Sequence, residues 1–158
     1  MIDEGLETQG IVEDPTAQRF TLKDAPTLSA GRFDSVLAKT EGFAARVKVY
    51  AEGGENASHT HLREDHLFLI LAGQATFHLG RDGEEEIVAN PYDGVFLPRG
   101  AFYRFLSSGD ENLVMFRVGG FDSEDRMRVG PDGSPLHGHS KKNNHVDGVV
   151  VAGRHFEN

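Results

Sequence analysis

From Phe43 to Val118 the chain is a succession of short apolar-rich segments, each closed by turn residues. Phe43 to Tyr50 alternates small or apolar residues with polar ones, as a half-buried strand does. Leu67 to Leu71, Gln74 to Leu79, Glu86 to Val88, Val95 to Leu97, Phe102 to Leu106 and Asn112 to Val118 continue the series. Between them stand Gly73, the tight-hairpin pair Asp82-Gly83, Asn90-Pro91 and Pro98-Arg99-Gly100. Short strands at this spacing predict an all-β fold, an antiparallel sandwich or barrel.

The flanks read differently. Residues 1 to 34 are polar and interrupted by Pro15 and Pro26, which predicts an N-terminal arm, with a capped helical turn opening at Thr21. The barrel is expected over residues 35 to 118. Residues 119 to 158 form a second, Gly/Pro-rich arm ending in an apolar patch at Gly148 to Gly153. That patch either belongs to a flexible tail or docks on the barrel or on a second subunit.

Composition narrows the function. A length of 158 residues suits one domain with a real core. The formal net charge of -9 argues against a nucleic-acid surface, which needs clustered Lys and Arg. The longest apolar run, Leu67 to Ala72, is far too short to span a bilayer, and the start MIDEGLETQG lacks the character of a signal peptide. A cytoplasmic location is expected. With no cysteine, thiolate ligation, iron–sulfur clusters and cysteine nucleophiles are excluded.

The chemistry concentrates in His59-Thr60-His61 and the residues up to Gly73. On a strand, residues two apart share a face, so His59 and His61 aim at one point. His66 follows after a short polar turn. Three converging neutral imidazoles would hold a first-row transition metal. His137-Gly138-His139 repeats the spacing but lies in the polar arm, where surface histidines are expected, as are His145 and His155.

The segment resembles the first motif of the cupin superfamily, small jelly-roll β-barrels: a glycine, five residues, His-x-His, three or four residues, Glu, six residues, Gly. Gly53, His59, His61 and Gly73 fall on it, and His66 stands where the glutamate belongs. Counting three intervening residues would place Asp65 there instead, out of register with Gly73. Glu64 fits neither count and is expected to be solvated or paired with Arg63. In the second motif Pro98 and Gly100 match, while Tyr92 replaces a glycine, Tyr103 the metal histidine and Ser107 an asparagine.

The resemblance implies a single-domain cupin barrel, a homodimer, and a divalent transition metal at His59, His61 and His66. Iron is expected first, with zinc, manganese, nickel or copper as alternatives. His66 could instead serve as an acid–base group beside a two-histidine site. Three imidazoles leave the charge of a divalent ion uncompensated, which favours a small anionic, chelating substrate. The expectation is an Fe(II) oxygenase, with a redox-neutral lyase, isomerase or cyclase, or a non-catalytic ligand-binding cupin, as rivals. Tyr103 is the candidate catalytic hydroxyl, with plain packing as its alternative. Arg46, Lys48 and Tyr50 share one strand face and bind the anion if that face is inward. Phe68 and Phe96 are expected to line the pocket among otherwise core aromatics, and His78 to sit at a strand surface or rim.

Overall fold

In the computed structural model, residues 16–52, 56–122, 128–136 and 147–156 are described. Twelve strands are formed among them: β1 (Pro26–Ala30), β2 (Arg32–Lys39), β3 (Phe43–Tyr50), β4 (Thr60–His61), β5 (Glu64–Ala72), β6 (Ala75–Leu79), β7 (Glu85–Ala89), β8 (Gly94–Leu97), β9 (Tyr103–Ser107), β10 (Leu113–Phe121), β11 (Arg128–Val129) and β12 (Val149–His155). No helix occurs among the described residues, so none is long and apolar enough to cross a membrane. The segment at Thr21 makes only a turn, with Ala25 N–H donating to Leu22 O at 3.1 Å.

The pairings between named strands are antiparallel. A five-stranded sheet runs β2-β3-β10-β5-β8 and a three-stranded sheet β7-β6-β9, with two-stranded pairs β1-β12 and β11-β4. This is the all-β jelly-roll arrangement. The inter-sheet core comes from both layers: Tyr50, Phe68, Ile70, Leu113 and Met115 meet Phe77, Tyr103 and Phe105. Their rings pack at aromatic-pair distances, Phe68 to Phe77 at 5.6 Å and Tyr50 edge-on to Phe105 at 4.8 Å.

Period-two alternation assigns each side chain its face. On β10, Leu113, Met115, Arg117, Gly119 and Phe121 are buried inward. On β5 the inward row is Glu64, His66, Phe68 and Ile70. The outer face of the large sheet is covered as well. Val47, Val49 and Val114 form a second cluster with Leu28 and Ala25, under the β1-β12 pair. The apolar C-terminal patch therefore pairs with a strand of its own chain. Asn112 fixes that pair to the sheet, accepting from Leu28 N–H at 2.6 Å and donating to Leu28 O at 3.0 Å.

Two turns carry the motif glycines. Gly73 has φ 73°, and a Cβ there would lie 2.5 Å from Asn112 O. Only glycine fits. Tyr92, at the position of the missing motif glycine, adopts φ 75° all the same.

Candidate metal centre and anion pocket

The histidine segment is held by the turn that follows β8. His59 and Tyr103 exchange backbone hydrogen bonds of 3.0 and 2.9 Å, and Gly100 N–H donates to His61 O at 2.8 Å. Pro98-Arg99-Gly100 thus sets the position of the His-x-His backbone. Arg99 anchors the turn to Asp65, with its N–H 2.8 Å from Oδ1 and its guanidinium 3.0 Å from Oδ2. Those hydrogen bonds hold the Asp65 carboxyl below the usual carboxylate range and keep it outside the ligand cluster.

His61, Glu64 and His66 bring one potential ligand atom each within 4.8 Å of one another. Glu64 is 3% exposed and His66 2%. Glu64 is therefore not a solvated partner of Arg63: two residues before His66 on the same strand, it shares the inward face. Glu64 Oε1 and His66 Nε2 are 3.0 Å apart. That is the spacing of neighbouring ligands each about 2.1 Å from one ion. His59 stands beside this group, its ring 5.1 Å from that of His61.

The donor set fits a divalent metal. His59 Nδ1 lies 2.7 Å from Ala57 O, which fixes the proton on that nitrogen and leaves Nε2 a lone pair. His66 Nδ1 lies 3.0 Å from Tyr103 Oη, which accepts its proton in the tautomer that frees Nε2. His61 Nδ1 is buried without a hydrogen-bond partner, 3.7 Å from Glu64 Oε2. Burial lowers the pKa of His59 to about 3 and that of His66 to about 4, the latter against the Glu64 hydrogen bond. His61 is depressed further, by burial and then by its histidine neighbours. All three imidazoles are neutral at pH 7 and able to ligate.

The cluster opens onto a cavity of about 470 Å³ lined by Arg32, Arg46, Lys48, Arg117 and Arg128, with Asp34 and Glu64 the only acids in its wall among the described residues. Five cations face two carboxylates, inside a chain of net charge -9. Asp34 bridges Arg46 at 2.9 Å and Lys48 at 2.5 Å. Burial raises its pKa, but Lys48 and Arg46 outweigh it and hold the group at about 2. Burial lowers Lys48 to about 8 against the pull of Asp34.

Arg46, Lys48, Phe68 and Tyr103 all reach this cavity. Tyr50 is fully buried in the core, its hydroxyl 3.5 Å from Lys48 Nζ. Burial raises the pKa of Tyr50 and of Tyr103, so both phenols stay neutral. Phe96 does not belong to the pocket. On β8 the inward residues are Val95 and Leu97, which turns Phe96 outward beside Leu67 at 62% exposure. His78 sits at a strand surface, 3.4 Å from Glu86, whereas His137, His139 and His145 lie outside the described residues. No motif in the sequence marks Arg32, Asp34, Arg117 or Arg128. For Arg117 the signal was available, since alternation places it in register with Leu113 and Met115.

Two facing antiparallel sheets with a His/Glu cluster on the inner face define a cupin-type jelly roll. Residues 46–119 match the family model described as a cupin domain, and the chain has the cupin fold. Solved structures agree in fold. A conserved protein with a double-stranded β-helix domain from Klebsiella pneumoniae has a TM-score of 0.60 at 18% identity, over 77% of this chain and 99% of that one. KdgF from Halomonas sp. has a TM-score of 0.53 at 18% identity, over 60% and 83% of the two chains. The Cnp3 cupin domain from Schizosaccharomyces pombe has 0.54 at 22%, over 60% and 68%. No curated protein matches the chain in sequence.

Proposed function

We propose that the protein is a metal-dependent enzyme acting on a small anionic, metal-chelating molecule. The observation that carries this is the His61–Glu64–His66 group opening onto a cavity with five cationic side chains and two acids. His59 is the fourth candidate ligand. A bound divalent ion would supply Lewis acidity next to the anion pocket.

The sequence favours an iron oxygenase because it offers three imidazoles and no carboxylate. Glu64 removes that distinction, and a redox-neutral proton transfer becomes the better-supported chemistry. Lys48 favours it: the residue lines the cavity, and its pKa of about 8 leaves part of it unprotonated near neutral pH. In this reading Arg32, Arg46 and Arg128 hold the carboxylate, and the unprotonated Lys48 Nζ takes a proton from the adjacent carbon, whose electron pair passes into the arginine-held carboxylate as an enediolate. Tyr103 orients His66.

The test is elemental analysis of purified protein, followed by thermal shift with malonate, malate and a neutral sugar. Bound metal, with stabilisation by the two dicarboxylates but not by the sugar, is expected. Absence of metal after reconstitution overturns the reading. Oxygen consumption coupled to turnover of any carboxylate in a panel would return the proposal to an oxygenase.

A further inference from the structure

Arg117 lies where the ligand set would place its cation. It is 7% exposed, on β10, in an inward row otherwise made of Leu113, Met115, Gly119 and Phe121. Its Nη2 donates to Glu64 Oε1 at 2.7 Å and contacts His66 Nε2. These two acceptors stand 3.0 Å apart, with His66 Nδ1 occupied by Tyr103. The lone pairs that would bind a divalent ion are therefore bridged by one guanidinium nitrogen. Gly119 makes room for this arrangement, because a methyl there would collide with Glu64 Oε1 and stand 3.4 Å from Arg117 Nη2.

We propose that Arg117 is a tethered cation that competes with the metal for Glu64 and His66, and that it becomes an anion-binding group when the metal displaces it. This rests on the metal-dependent reading above. Two cations cannot share the notch, because their repulsion in a buried site is not screened by water. Arg117 already lines the cavity that Arg46, Lys48 and Arg128 make basic, so the displaced guanidinium has open space to turn into. In that cavity a carboxylate would take the place of Glu64 as its partner, and a bidentate pair is the geometry guanidinium favours. Metal and anion then bind with positive coupling, each stabilising the displaced position of Arg117. The device would keep metal affinity low until an anion is present.

The test is Mn(II) titration, followed by the electron paramagnetic resonance signal of the free ion, with and without acetate, which chelates free metal only weakly. Arg117→Met is expected to bind Mn(II) at least tenfold more tightly than wild type. Acetate should tighten wild-type binding several-fold and leave Arg117→Met unchanged. Equal or weaker Mn(II) binding by a folded Arg117→Met, or equal acetate effects on both proteins, overturns the proposal. If Arg117→Met does not fold, Arg117→Lys carries the test: its shorter, single-point cation should pair less well with Glu64, and an affinity no higher than wild type overturns the idea. Failure of both wild type and variant to bind any metal sinks the metal-dependent reading itself. Metal binding that ignores Arg117 sinks only the coupling.

Discussion

Tyr103 replaces a histidine in the motif position, and its hydroxyl lies 3.0 Å from His66 Nδ1. Tyr103→Phe removes the acceptor that keeps His66 Nε2 available, so metal affinity should fall about 10–100-fold, the usual effect of losing an outer partner of a ligand histidine. A chelator competition assay on the folded variant measures it, and unchanged affinity would reduce Tyr103 to packing. Tyr92 is a residue of the opposite kind. It holds φ 75° with 86% of its surface exposed. The left-handed conformation costs a non-glycine residue about 1–2 kcal/mol, partly offset by the greater unfolded freedom of glycine. Tyr92→Gly should therefore stabilise the protein by about 0.5–1 kcal/mol in chemical denaturation. At this scale His59, His61 and His66 were legible because motif spacing and the register to Gly73 point at them. Glu64 was not, since the counting rule gave it no place. Only the fact that β5 starts at Glu64 puts it on the face of His66.

The elements were the most legible level, because alternation and turn residues are local signals. Each segment read as a strand between Phe43 and Val118 contains one. What strands pair with is not local. β1 meets β12 across more than a hundred residues, and nothing in Pro26 to Ala30 announces that partner. Asn112 makes the connection testable, since its amide substitutes for a strand edge at both polar groups of Leu28. Asn112→Ala should destabilise the protein by about 1–3 kcal/mol, the cost of leaving such groups unpaired. Because the β1-β12 pair covers the outer face, that loss should accompany faster hydrogen exchange in β1 and β12 than in β5. Uniform exchange across both would contradict a ribbon docked through Asn112.

Over the whole molecule, charge is separated: an acidic chain encloses a basic cavity, which net charge alone could not reveal. The three depressed histidines give the metal-free protein a defined acid response. Unfolded histidine takes up protons near pH 6.5, whereas the folded groups resist until about 4 for His66 and about 3 for His59. The unfolded state thus binds more protons below pH 6.5, and stability must fall with acid, by about 1.4 kcal/mol per pH unit for each histidine. Denaturation midpoints of chelator-treated protein should change little above pH 7, begin to fall near pH 6.5 and approach that slope by pH 5.

Asp34 offers a sharper test of the same cavity, because it occupies Arg46 and Lys48 together. Asp34→Asn frees both cations, so malonate should bind the metal-free protein more tightly, whereas Arg128→Ala should weaken it. The gain should also depend on pH. Lys48 titrates at about 8 with its counterion in place, and burial would carry it lower once Asp34 is neutral. Tighter binding by Asp34→Asn should therefore be largest near pH 6 and shrink towards pH 8, as Lys48 loses its charge. Calorimetric titration of both variants at the two pH values decides the matter: effects of the same sign in Asp34→Asn and Arg128→Ala would mean that the cations of this cavity serve the fold rather than an anion.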